Sequence, residues 1–277
     1  MKHRMMKNKS VLYFGIGLFI VFNCGCAKNI LNGLSNEAND EAYINDAVKY
    51  LDNKQYDKAI EILTVKISAS RRSENQIRRL TAEAYAGRCG LDTLAYLTSI
   101  GSTSSSALFK IFMSPIVGLA YSGNDCAVAT AKIVEIGTLT QRSNSDNVFL
   151  TILNMARLGG SIRGVLDTTP TNGDGTLEKT SCNMSNAEVD QVILSLGYVL
   201  ENFTAVSASL VGGGSLNSIN DLLSKCGDLS INCKITDPSI IDNTMRDMFR
   251  NLMNTVEFGV GSKVTGGNPA LIATACP

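Results

Sequence analysis

Apolar residues along this chain follow two patterns: one short unbroken run near the start, then a succession of helical stripes. The run covers residues 11–22 (VLYFGIGLFIVF), with Lys2, His3, Arg4, Lys7 and Lys9 before it and Cys24-Gly25-Cys26-Ala27 after it. Residues 29–40 are polar and rich in asparagine, with little to bury. From Glu41 the spacing becomes helical: Ala42, Tyr43, Ala47, Tyr50 and Leu51 recur at steps of three and four. Asp52-Asn53-Lys54-Gln55 interrupts the period, and Tyr56, Ala59, Ile60, Leu63 and Ile67 resume it. The spacing predicts two amphipathic helices joined by a short polar turn, an αα-hairpin.

A polar linker (68–76) follows, then a second periodic stretch, RRLTAEAYAGRCGLDTLAYL, with Ala82, Tyr85 and Ala86 before a Gly-containing turn and Leu91, Leu94 and Leu97 after it. GSTSSS (101–106) reads as a flexible break. Residues 108–121 are strongly apolar but too short to span a bilayer, so they predict a buried helix kinked at Pro115. Further helices are expected over 126–139, 147–166, 186–211 and 239–258. Alternation of the strand type is almost absent, so the chain is expected to be mainly α: antiparallel helical hairpins first, then an irregular helical array.

The stretch AVKYLDNKQYDKAIEIL resembles a tetratricopeptide (TPR) motif. Ala47 and Ala59 take its small positions, where two helices cross closely. Tyr50 and Tyr56 take its aromatic positions, and Leu63 a later apolar one. Lys54, where a turn glycine is common, and Lys66, where a small residue is expected, depart from it. The second stretch is a poorer match. Such repeats stack paired helices into a curved surface whose concave face binds a partner.

The N-terminus resembles a bacterial lipoprotein leader: a basic start, a 12-residue apolar run too short to cross a membrane, and a cysteine after a small residue. The resemblance implies cleavage before Cys26, with acyl chains on its sulfur and on the new amine. Cys24 is the alternative, since Asn23 falls where the pattern for Cys26 has a leucine-like residue. Ala27, rather than Asp, follows Cys26 and points to the outer membrane, facing the periplasm. This reading divides the chain into a signal peptide (1–25), a tether (26–40) and a TPR-like α-helical domain (41–277). The order of leader, TPR-like start, AYAGRCGLD segment, NGDG loop and nearby Cys182 resembles a group of bacterial TPR-like lipoproteins, and implies no reaction.

Charge and composition narrow the function. The chain has 25 basic and 25 acidic residues; losing Lys2, Arg4, Lys7 and Lys9 leaves 21 basic ones, a net charge of about −4. No basic run survives, which argues against a nucleic-acid partner. The single histidine, His3, would leave with the leader. A chain without histidine cannot run Ser-His-Asp or Cys-His chemistry. No GxSxG, P-loop, GxGxxG or HExxH motif is present, and Gly212-Gly213-Gly214 reads as a hinge. The expectation is a non-enzyme.

Six cysteines follow the lipobox: Cys89, Cys126, Cys182, Cys226, Cys233 and Cys276. An even number outside the cytoplasm predicts disulfides, whose connectivity sequence leaves open. Cys226 and Cys233 are nearest in sequence and flank a Gly-Asp turn, and Cys276 could pin the tail.

One loop, DTTPTNGDGTLE (167–178), carries candidate cation ligands: Asn172, Asp174 and Thr176 alternate around Gly175, with Asp167 and Glu178 at the ends. Alternating oxygens around a tight glycine turn resemble part of a calcium loop. Pro170 and Ser181 occupy positions where an EF-hand has ligands, so weak calcium binding or a metal-free turn is expected.

The expected function is a membrane-anchored envelope scaffold that binds a protein or peptide, with Asn45, Lys49, Gln76 and Arg79 as contact candidates on the first helices of the hairpins. The rival readings are a small-molecule-binding component of a periplasmic transport system and a structural envelope protein stabilised by disulfides and calcium.

Overall fold

The computed structural model describes residues 39–102, 108–175, 177–206, 213–228 and 230–253. The leader with Cys24 and Cys26, most of the tether, Thr176 and Cys276 lie outside them. The described residues are mainly helical, as the spacing predicts.

Helices α1 (Asp40–Asp52) and α2 (Tyr56–Glu61) form the first hairpin. Asn39 caps α1 through its side chain, accepting from the N–H of Glu41 at 3.1 Å, and acidic Asp40 and Glu41 suit the positive end of the helix. The chain reverses at Lys54, which adopts φ 56° at the turn. Helix α2 runs on as a π-helical turn (Ile62–Lys66) that brings Ile62 and Leu63 into the core. Ala47 and Ala59 are both fully buried. With Ile44, Ile60, Leu63 and Ile77 they belong to an apolar cluster separate from the main core.

The polar linker is partly helical: α3 (Ala69–Arg72) sits inside it, and α4 (Asn75–Arg88) begins at once. Gly87 of α4 lies against the Tyr56 ring, which a Cβ there would meet at 2.2 Å. The second hairpin differs from its sequence reading. Helix α4 packs against α7 (Gly123–Val134), and the Cys89–Cys126 disulfide joins the two at a Cα separation of 5.3 Å. Helix α5 (Thr93–Ser102) instead leans on the Ser114–Ile116 turn and on α8 (Asn144–Leu166). Leu94, expected in a helix seam, is 77 % exposed. The apolar stretch is also no single kinked helix: α6 (Leu108–Met113) stops, and Pro115 sits in the following 3-10 turn, where a missing N–H costs least.

Helix α8 is the axis of the main core, wrapped by α6, α7 and α9 (Asn186–Val206). Ser143 and Asp146 cap it reciprocally, each side chain accepting from the other's backbone N–H. Two glycines let neighbours close on it. A Cβ at Gly159 would lie 2.4 Å from the Phe112 carbonyl oxygen, and one at Gly160 2.4 Å from the Tyr121 ring. Helix α10 (Gly213–Asp228) packs on α6, and α11 (Asn243–Met253) on α9. Between them runs an irregular segment, 231–237, tied to α10 by Cys226–Cys233 at a Cα separation of 6.0 Å. Cys182 is disulfide-bonded as well. No described helix is long and apolar enough to cross a membrane.

Candidate functional site

A cleft of about 530 Å³ opens where the loop between α7 and α8, the outer face of α9 and the segment 236–238 meet. Its floor carries Arg142, only 7 % exposed. The guanidinium is held at three points: Nε donates to Asn147 Oδ1 at 2.8 Å, Nη1 to the Gly137 carbonyl at 2.7 Å and Nη2 to Asn202 Oδ1 at 3.1 Å. Both asparagines are buried and are themselves oriented. Asn147 donates to the Leu139 carbonyl at 3.0 Å, and Asn202 to the Tyr198 carbonyl at 2.7 Å. All three acceptors are neutral, and Arg142 makes no ion pair among the described residues. Burial pushes its pKa down, and the field of half-buried Glu201 opposes that shift. A second buried guanidinium, Arg157, lies beside Tyr198, with its Nε unpartnered among the described residues.

Local sequence explains the walls. Gly137 takes φ 148°, and the side chain of Gln141 folds back to accept from Thr138 N and Oγ1 at 2.8 and 3.0 Å, closing the loop on itself. On the far side the Tyr198 hydroxyl donates to the Thr236 carbonyl at 3.4 Å. Gly197 lets that strand-like segment sit directly on α9, since a Cβ there would fall 1.7 Å from the Ile235 carbonyl oxygen. Asp237 caps a short 3-10 turn through Oδ1 at the cleft's edge. Val134, Leu139 and Pro238 supply the apolar part of the lining.

The sequence did not single out Arg142. Its only signal there is an arginine inside a Thr/Ser/Asn-rich loop, directly before a helix-capping serine.

The residues that the sequence did single out fall elsewhere. Asn45 and Lys49 are exposed one turn apart on α1, and Gln76 is exposed at the start of α4. Arg79 is drawn inward, its Nε and Nη2 gripping the two oxygens of Asp146 at 2.6 and 2.8 Å. That grip ties α4 to the first turn of α8. It also holds the Asp146 carboxyl down at about 2, with help from Ser143 and against the effect of burial. A carboxyl whose pKa is depressed on folding adds stability that is complete above its unfolded pKa near 4 and fades as pH drops through 2. The shift corresponds to about 2 kcal/mol. Urea midpoints measured at pH 5, 3 and 2 should converge between the native protein and Asp146→Asn; parallel curves would sink this assignment.

In the 167–178 loop, the structure brings Asp167 and the glycine turn together in an unexpected sense. Asp167, 1 % exposed, accepts the N–H groups of Asp174 and Gly175 at 3.0 and 2.9 Å. Glu178 accepts from Thr168 N and Oγ1 at 3.2 and 2.9 Å. The Asn172 carbonyl accepts from Arg163 Nη1 and from Gly118 N. A cation entering here would share the Asp167 and Glu178 oxygens with those N–H and O–H donors. Among the described residues no group of three or more His, Cys, Asp or Glu side chains is placed to hold a metal ion.

The chain matches no protein family, no curated protein and no solved structure at a significant level.

Proposed function

We propose that this is an exported envelope protein, lipid-anchored through Cys26 and probing the periplasm from the outer membrane, that acts as a non-catalytic scaffold for a protein or peptide partner. The observation that carries the binding role is the Arg142 floor of the cleft. Burying a cation is costly, and a structural arginine is ordinarily repaid by a carboxylate. Here buried amides from two helices aim it instead, and among the described residues no carboxylate bonds to it, Glu201 acting on it only through its field. Anchoring rests on the leader, and the Cys89–Cys126 and Cys226–Cys233 disulfides suit an oxidising compartment. The α1–α2–α4 stack supports a TPR-like start, with Asn45, Lys49 and Gln76 as a second contact surface.

Two measurements test this. Metabolic labelling with radioactive palmitate should mark the native chain and fail on Cys26→Ser; equal labelling of both refutes the anchor site. A photo-crosslinking residue placed at Thr138, on the cleft rim, should trap a defined species in living cells, while the same residue at Ser70 should not. Identical traces from both positions would remove the cleft from the partner interface.

A further inference from the structure

The cleft is bipolar. Arg142 lines it together with Glu201 and Asp237, so both signs of charge face the same cleft, and the buried Arg157 lies beside Tyr198, another lining residue. We infer that the cleft binds a small zwitterion of the peptide class, an amino acid or short peptide with free ends, whose carboxylate meets Arg142 and whose ammonium meets Glu201 and Asp237. This rests on the binding reading above and names the chemistry of the ligand.

Three features support it. A guanidinium is a planar fork that matches a carboxylate, and Asn147, Asn202 and the Gly137 carbonyl hold this one in a fixed plane while leaving part of its five donors unused. One Asp237 oxygen is taken by Ser239, which leaves the other open to a donor. Val134, Leu139 and Pro238 offer apolar surface for a side chain, and 530 Å³ lies within the usual range for small-ligand sites. The site is also built in advance. The Tyr198–Thr236 hydrogen bond, the Gly197–Ile235 approach and the Cys226–Cys233 disulfide fix the wall that bears Asp237, so little order is lost on binding.

The test is isothermal titration calorimetry on the full chain in detergent with alanyl-leucine, its N-acetyl derivative and its C-terminal amide. The unblocked dipeptide should bind, and each blocked form should bind at least about tenfold more weakly, because a charge-assisted contact is lost at one end. Glu201→Gln should weaken the unblocked dipeptide and leave the N-acetyl form unchanged, with an unaltered melting temperature certifying the fold. Arg142→Lys, which keeps the charge and loses the fork, should weaken every ligand that has a free carboxylate. Equal affinity for blocked and unblocked forms overturns the inference, as does absence of binding by alanyl-leucine, alanyl-alanine and leucyl-phenylalanine alike. If those dipeptides fail while crosslinks from Thr138 persist, the scaffold reading stands and only the zwitterion falls.

Discussion

Gly197→Ala should cost about 3 kcal/mol or more in stability, the upper range for overpacking, because the atom it meets is backbone. The new methyl carbon would sit 1.7 Å from the Ile235 carbonyl oxygen, so either α9 or the 231–237 segment has to move. That segment is held on its other side by Cys233, leaving little room for retreat. Gly164→Ala on α8 supplies the contrast, since a Cβ there meets nothing within 4 Å. Freed of glycine's backbone entropy, that variant should gain up to about 1 kcal/mol. Urea midpoints of the two variants should therefore move in opposite directions. If Gly197→Ala stays within about 0.5 kcal/mol of the native protein, a range typical of neutral surface changes, the close approach is not real.

Removal of Cys89–Cys126 should cost considerably more stability than removal of Cys226–Cys233. Its cysteines lie 37 residues apart, against 7 for Cys226–Cys233. Loop-closure entropy then gives about 4 kcal/mol for the first and about 2.5 for the second. The long bridge also joins α4, and through it the first hairpin, to α7 and the main core, so its loss should loosen the N-terminal cluster first. Equilibrium unfolding of the Cys89→Ser/Cys126→Ser and Cys226→Ser/Cys233→Ser proteins measures both. Equal midpoints, or a larger loss from the short loop, would contradict the ranking. Hydrogen exchange should quicken in α1 and α2 before α8 in the first variant; uniform quickening would mean the hairpin has other moorings.

Sequence periodicity located the helices well where an apolar stripe or a long apolar run marks them. The first hairpin, its small residues and its turn follow directly from residues 41–67, and α8 needed only three residues added at its capped start. It failed where tertiary contacts choose among equivalent partners. Nothing local says that α4 should pair with α7 and not α5; both offer alanine among larger aliphatic residues, and the cysteine pairing that ties α4 to α7 is one that sequence leaves open. Helix α10 escaped notice because it opens on Gly213 and Gly214, residues that favour a hinge in isolation. The helix expected from 239 starts at Asn243, because Pro238 and the Asp237 cap spend the first residues on a 3-10 turn. The cleft was invisible for a related reason. Arg142, Asn202 and Asp237 come from three distant places in the chain, and each alone reads as a polar side chain turned toward water. In the 167–178 loop the alternating oxygens and glycine marked a tight turn correctly, yet their spacing could not reveal that backbone N–H groups already claim Asp167.

Along the axis of the core, polar groups form rungs between helices that are otherwise greasy. Thr130 reaches Asn154 at 3.5 Å, Ser161 reaches Gln191 at 3.3 Å, and Arg142, in the loop leading into α8, reaches Asn202. Apolar helix faces are forgiving: one can slide along another by a turn, about 5.4 Å, and still bury similar area. These rungs cannot. A slip of one turn would break each of these cross-contacts, and a buried polar group left without a partner costs on the order of 1–3 kcal/mol. The rungs thus work as teeth in a gear, admitting one phase of α7, α8 and α9 and rejecting its neighbours, so that a helix-rich chain settles in a single register.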